Sequence, residues 1–130
     1  MAGETILIVD DNAVNLKLTR ITLAVAGYDV RTAIDAEQAM ALLRTVVPRL
    51  ILMDVQLPGM DGLTLTRRLK GDPATRDAVV LAVTAYAMKT DEARALEAGC
   101  DGYLTKPIDT RTLASTVARY LAASTPAAAS

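Results

Sequence analysis

The chain predicts an α/β fold, a doubly wound five-stranded parallel sheet flanked by five helices, and three observations carry that prediction. Short apolar runs alternate along the chain with segments of helical period. Gly and Pro residues punctuate the junctions. Four of the runs end at once in a carboxylate, a hydroxyl or an ammonium: Ile8-Val9-Asp10-Asp11, Leu52-Met53-Asp54, Ala82-Val83-Thr84 and Leu104-Thr105-Lys106-Pro107. Parallel strands point the same way, so these four ends are expected to meet on one sheet edge, where open α/β sheets bind their ligands.

The elements follow in order. Thr5 to Val9 reads as a strand closed by Asp10-Asp11-Asn12. Val14, Leu18, Ile21 and Val25 recur at helical spacing up to Gly27, a residue suited to the position just past a helix end. Tyr28 to Thr32 is short and half polar, as an edge strand should be. Asp35 can cap a second helix with a core face of Ala39, Leu42, Leu43 and Val46, ended by Pro48. Leu50 to Met53 is uniformly apolar, which predicts a strand buried on both faces.

After Asp54, the residues Pro58, Gly59 and Gly62 mark a loop. A helix is expected from about Leu63 to Lys70, closed by Gly71 and the Asp72-Pro73 turn. Ala78 to Val83 is a fourth buried strand. The helix from about Thr90 to Ala98 has a weak apolar face with Leu96 its only large aliphatic residue, and Asp101 to Thr105 makes a short fifth strand. Asp109 can cap a last helix carrying Leu113, Val117 and Leu121. One domain, 1–123, is therefore expected, followed by a disordered Ala/Ser/Thr/Pro tail, 124–130.

Composition narrows the function. At 130 residues with 52% hydrophobic and 22% charged residues, the chain is long enough for one real core. A net charge of -1 with interspersed signs gives no electrostatic case for nucleic acid, and no apolar run is long enough to span a bilayer. Cys100 is the only cysteine, so no internal disulfide is possible; a reducing cytoplasm and a packing role for this residue are expected. The chain has no histidine, which removes Ser-His-Asp and Cys-His hydrolysis and histidine zinc sites. It can receive a phosphoryl group from phosphohistidine but cannot carry one in that form.

Asp10, Asp11 and Asp54 at one edge would place three negative charges at close range, a set that stays ionised only beside a cation. Mg2+ suits oxygen donors of this kind, with Mn2+ as an alternative. Lys106 adds a second positive charge and Thr84 a hydroxyl, so a carboxylate nucleophile would have the charge-offsetting partners that phosphoryl transfer requires. Taken singly, each motif has an ordinary explanation as a turn, a cap or a surface lysine. Four such ends in register are hard to ascribe to chance.

Val9-Asp10-Asp11-Asn12, the run Leu52-Met53-Asp54-Val55-Gln56-Leu57-Pro58-Gly59-Met60-Asp61-Gly62, Val83-Thr84-Ala85 and Lys106-Pro107 resemble the response-regulator receiver domain of two-component signalling. The resemblance extends to about Ala122. It implies the flavodoxin-like strand order 2-1-3-4-5. It implies Asp54 as the phosphoacceptor and Mg2+ held by Asp11, Asp54 and the Gln56 carbonyl, with Asp10 acting indirectly. Lys106, Thr84 and the Ala85 N–H would contact the phosphoryl group, through a Lys106-Pro107 peptide that is cis in much of the family. Thr84 and Tyr103 would form the switch pair. Gln56 and Tyr86 would tune the lifetime of the phosphoryl state, a bulky Tyr86 ring hindering the hydrolytic water.

The partners so implied are a histidine kinase or histidine phosphotransferase, and a downstream protein reading the face built from the fourth helix, fifth strand and fifth helix. No basic helix-turn-helix segment follows the last helix, so direct action on DNA is not expected. A single-domain response regulator, monomeric or dimerising on phosphorylation, is expected; a receiver excised from a hybrid histidine kinase is the alternative. A turnover enzyme is not expected. A haloacid-dehalogenase-type phosphatase would need an Asp-x-Asp nucleophile motif and a lid, and a nucleotide switch would need GxxxxGK[ST] or GxGxxG. A phosphorylation-independent interaction module would have no use for the intact set of Asp10, Asp11, Asp54, Thr84 and Lys106.

Overall fold

The computed structural model describes residues 3–85 and 89–123, the side chains of 89–91 excepted. Five strands alternate with five helices: β1 (Thr5–Val9), α1 (Ala13–Val25), β2 (Asp29–Ala33), α2 (Ala36–Leu43), β3 (Leu50–Asp54), α3 (Gly62–Gly71), β4 (Val79–Thr84), α4 (Lys89–Ala98), β5 (Gly102–Thr105) and α5 (Leu113–Ala123). All strand pairs are parallel, in the order β2-β1-β3-β4-β5. The chain therefore starts in the middle of the sheet, winds outward to β2, and returns across β1 to β3. That reversal, between β1 and β3, is the point at which such sheets open a crevice.

Position in the sheet explains strand composition. β3 and β4 are central, and every residue of both is buried, which accounts for their unbroken apolar runs. β2 lies at the edge, where only Ala33 is buried. The two faces carry separate cores. Leu7, Val9, Ile51, Met53 and Val80 point to the side covered by α2, α3 and α4; Ile6, Ile8, Leu50, Leu52 and Leu81 point to the side covered by α1 and α5.

Capping follows local chemistry. Asn12 caps α1 by accepting from the Asn15 N–H at 3.0 Å. Asp35 caps α2 by accepting from the Gln38 N–H at 2.8 Å, while Gln38 Oε1 accepts from the Ile34 N–H at 3.0 Å, a reciprocal pair close to a capping box. Gly27, with φ 100°, ends α1: its N–H donates to the Ala24 carbonyl and that of Tyr28 to the Leu23 carbonyl. These two bonds make a Schellman closure, which the left-handed conformation of glycine permits.

Two expectations change. Helix α2 ends at Leu43, well before Pro48: the Arg44 and Thr45 N–H groups bond the Ala41 and Leu42 carbonyls three residues back, tightening the last turn. Val46 consequently lies beyond the helix and is half-buried, and the buried face of α2 is Ala36 and Ala39 with Leu42 and Leu43 at its margin. The apolar set of α1, read from the sequence only as a helical stripe, faces solvent: Val14, Leu18, Ile21 and Val25 are 75%, 51%, 43% and 83% exposed, while Thr19 and Leu23 are the residues of this helix that are buried. In α5, Leu113, Val117 and Leu121 are all buried as expected. The last helix starts at Leu113 rather than directly after Asp109, whose Oδ1 accepts from the Arg111 N–H at 2.9 Å in the turn before it; other expected element ends shift by a residue or two, as helix and strand boundaries commonly do. The expected tail, 124–130, lies outside the described residues.

Candidate functional site

The register of the sheet assembles the site. Val9 pairs with Met53, so Asp10 and Asp54 leave neighbouring strands at the same level; Asp54 pairs with Val83 and Thr84 with Thr105, which brings Thr84 and Lys106 to that level as well. Backbone bonds hold these ends after the strands stop. The Asp10 N–H donates to the Ala33 carbonyl at 3.0 Å, the Val55 N–H to Val83 at 3.0 Å, and the Lys106 N–H to Thr84 at 2.7 Å. The expected convergence at one sheet edge is thus the observed arrangement.

Three carboxylates meet there. One oxygen from each of Asp10, Asp11 and Asp54 lies within 4.8 Å of the others, with Asp10 and Asp54 buried and Asp11 exposed. Lys106 Nζ stands 3.1 Å from Asp54 Oδ2 and 3.6 Å from Asp10 Oδ2. One ammonium faces three carboxylates, so the cluster carries a net excess of two negative charges at close range. A divalent cation would offset that excess, and three hard oxygen donors with one side open to solvent match the chemistry of Mg2+. The residues present fit such an ion.

Asp54 is held at both oxygens. Oδ2 accepts from Lys106 Nζ, and Oδ1 accepts from the Gln56 N–H at 2.9 Å. Burial pushes its carboxyl above the ordinary carboxylate range; the Gln56 N–H and Lys106 act in the opposite direction, and the charge of Asp10 adds to the upward shift. Asp10 Oδ1 accepts from the Asn12 N–H at 2.8 Å, which ties the acidic pair to the start of α1.

The sequence motif also contains residues whose structural part was not legible from spacing. Asp61 caps α3 by accepting from the Thr64 N–H at 2.8 Å. Gly62 follows because a Cβ there would overlap the backbone carbonyl oxygen of Asp54. Its own N–H donates to the Val55 carbonyl at 3.1 Å, so the loop after Asp54 folds back onto the strand end. A Pro-Gly-x-Asp-Gly run after a strand carboxylate is the signal that could have pointed to this closure.

The remaining candidates are placed as follows. Thr84 is buried at the end of β4, and Ala85, next in the chain, is exposed. Gln56 is exposed, so its backbone rather than its side chain engages Asp54. Tyr103 is half-buried and packs against the core that includes Ala82, Ala95 and Ala98. The Lys106-Pro107 peptide is cis. Tyr86, expected to tune lifetime, lies outside the described residues. Cys100 is buried with Sγ 3.9 Å from Thr66 Oγ1, and burial raises its thiol pKa, in keeping with a packing role.

A doubly wound sheet with a buried aspartate, an acidic pair and a lysine gathered at the carboxyl edge defines a receiver-type signalling module. Comparison with known proteins makes the assignment specific: residues 6–118 match the response regulator receiver domain, and the chain belongs to that family. It is 42% identical over 118 residues to the polar-differentiation response regulator DivK of Brucella anthropi, covering 91% of this chain and 96% of that one. Among solved structures it resembles a putative response regulator from Chloroflexus aurantiacus, with TM-score 0.88 and 35% identity over 92% of this chain and 98% of that one. It also resembles the signal receiver domain of a signal transduction histidine kinase from Syntrophus aciditrophicus, with TM-score 0.85 and 36% identity over 93% and 92% of the two chains. Receiver domains are signalling modules with an acidic Mg2+ pocket, and Asp10, Asp11 and Asp54 are the acidic cluster here. No described helix is long and apolar enough to cross a membrane.

Proposed function

We propose that this chain is the phosphoacceptor of a two-component phosphorelay, acting as a single-domain response regulator of the DivK type in the cytoplasm, with residues 1–123 as the receiver. The observation that carries this reading is the buried Asp54 carboxylate, fixed by Lys106 and the Gln56 N–H beside two further carboxylates. An Asp54 oxygen attacks the phosphorus of a donor phosphohistidine, the P–N bond breaks, and the imidazole leaves with its electron pair. Asp11, Asp54 and the Gln56 carbonyl would hold Mg2+, with Asp10 supporting, and the bound ion would supply positive charge to offset that of the transferring oxygens. Lys106 exchanges part of its pairing with Asp54 for the new phosphoryl oxygens. The Thr84 hydroxyl and the Ala85 N–H bind the same group, and Tyr103 follows Thr84 inward. The module is modified and reset rather than turning over a metabolite.

The donor needs a place to dock, and α1 supplies it. Of the seven large hydrophobic residues exposed among the described residues, four lie on α1. Ala13, Val14, Lys17, Leu18 and Ile21 line a 520 Å3 hollow that begins directly after Asp11 and Asn12. An apolar stripe adjoining the acceptor edge suits the helical surface of a histidine kinase or phosphotransferase presenting its phosphohistidine to Asp54. The output partner reads the α4-β5-α5 face, where the described part of α4 is anchored through the small side chains of Ala95 and Ala98 while Leu96 stays exposed. An element so lightly packed is readily biased between two arrangements.

Incubation with Mg2+ and acetyl phosphate, followed by intact-mass spectrometry, tests the chemistry. The wild-type chain should gain one phosphoryl group and Asp54→Asn none. Absence of any gain in the wild type, or an equal gain in the mutant, would refute the assignment of Asp54.

A further inference from the structure

The face of the sheet opposite α1 holds a second surface that the phosphorelay chemistry does not use. Helices α2 and α3 flank a groove that is open on both sides of Met40. Toward the carboxyl edge a 440 Å3 hollow is lined by Met40, Met60 and Pro58, with Asp35 and Glu37 at its rim. Toward the other edge a 470 Å3 hollow is lined by Met40, Leu43 and Leu69, with Arg44, Arg68 and Asp72 at its rim. Because Met40 lines both, the two hollows form one trough along α2. The early end of α2 at Leu43 leaves Leu42 and Leu43 only half-covered at the trough's margin.

Charge divides the trough into two ends. Glu37 is exposed at one; at the other, Arg44 and Arg68 are exposed and make no ion pair among the described residues. Asp72 stands at the same rim, its Oδ1 accepting from the Ala74 N–H at 2.9 Å, so two arginines against one carboxylate leave this end net positive. The trough therefore offers an apolar, Met-rich floor between an acidic rim and a basic rim. Methionine side chains adapt to varied apolar partners, and opposed rim charges select orientation. Its length follows the eight residues of α2, about 12 Å, or rather more than two helical turns.

We propose that the α2–α3 trough docks an amphipathic α-helix of a partner protein, with basic residues at the end over Glu37 and acidic residues at the end over Arg44 and Arg68. Apolar side chains of that helix at i, i+3 or i+4, and i+7 lie along Met40, Leu43 and Leu69. This surface lies on the opposite side of the sheet from α1. A protein bound here leaves the α1 stripe free, so the chain can hold this partner and a phosphodonor together.

The test uses a synthetic three-turn helical peptide with leucines at those positions, lysines at one end and glutamates at the other, titrated into the full chain and followed by amide NMR shifts. Shifts should cluster at Met40, Leu43 and Leu69 and spare Val14 and Ile21. Arg44→Glu/Arg68→Glu should weaken this peptide at least tenfold and bind a peptide with lysines at both ends more tightly than wild type does. Both arginines are exposed, so the double variant should still take a phosphoryl group from acetyl phosphate, which verifies its fold. Absence of shifts at millimolar peptide, shifts centred on α1, or equal affinity in the charge-reversed variant would overturn the proposal.

Discussion

Helices α1 and α5 pack side by side on one face of the sheet and announce themselves in the sequence by the same signal, yet their apolar stripes end in opposite places. Leu113, Val117 and Leu121 of α5 are buried against the sheet; Val14, Leu18, Ile21 and Val25 of α1 face solvent. Helical spacing reports that a stripe exists, not which way it points. The residues of α1 that do contact the core, Leu23 and Thr19 with Leu16 at the margin, include one hydroxyl. Each large aliphatic side chain left in water forgoes about 1.5–3 kcal/mol that full burial would supply. A helix that keeps four of them outside leaves an apolar surface for a partner, the docking surface proposed for the phosphodonor, and its stripe starts at the carboxyl edge of the sheet.

The largest expected effect breaks this comparison open. Leu121→Ala in α5 should destabilise the chain by about 2–5 kcal/mol, through lost burial and the cavity left behind. Leu18→Ala in α1 should stay within about 0.5 kcal/mol of wild type, as surface substitutions do. Urea denaturation of both variants measures the contrast; similar losses would mean that the α1 stripe is structural after all.

The second contrast concerns what precedes α1. The carboxylate before α5, Asp109, is paired with Arg111, whereas Asp10 and Asp11 before α1, together with Asp54, exceed the single Lys106 by two. Mg2+ at tenfold excess over its Kd should therefore stabilise the folded chain by about 1.4 kcal/mol. The gain should be largely lost in Asp54→Asn, and thermal melts with Mg2+ and with EDTA would show it.

The same charge excess has a pH signature. Burial raises the Asp54 pKa in the folded state, so the folded chain disfavours the ionised form. This group's contribution to stability is full below the unfolded carboxylate pKa and is lost as pH rises through the raised folded value. Without metal, Asp54→Asn should accordingly melt above wild type at pH 7, with the difference shrinking as pH falls toward the carboxylate range. A mutant less stable than wild type at pH 7 would contradict that sign.

The smallest effects lie at the caps. Asn12→Ala and Asp61→Ala each remove one side-chain acceptor from a helix start and should cost about 1 kcal/mol. Asp61→Ala should also loosen the loop that folds onto the Asp54 carbonyl, and so slow phosphorylation by acetyl phosphate. An unchanged rate would separate the cap from the chemistry.

Much of the fold was legible because each element carried one dominant physical signal. β3 and β4 read as buried because central parallel strands have no polar face, and α5 because its stripe is continuous. The site residues were legible because parallel strands bring their ends to one edge. What was not legible depended on tertiary choice. Nothing in the period of α1 distinguishes core from solvent, and nothing in Arg44 or Thr45 shows that their N–H groups bond three residues back and close α2 before Pro48. The need for glycine at position 62 arises from the Asp54 carbonyl, a neighbour that exists only once the loop has folded.

Single-turnover phosphotransfer to wild type and Leu18→Glu tests the account most directly, using a purified phosphorylated histidine kinase able to phosphorylate the wild-type chain, with acetyl phosphate as the second donor. Transfer from the protein donor should fall at least tenfold in Leu18→Glu while transfer from acetyl phosphate is unchanged, because docking on α1 and chemistry at Asp54 are proposed as separate functions. Equal rates from the kinase, or parallel losses with both donors, would contradict it.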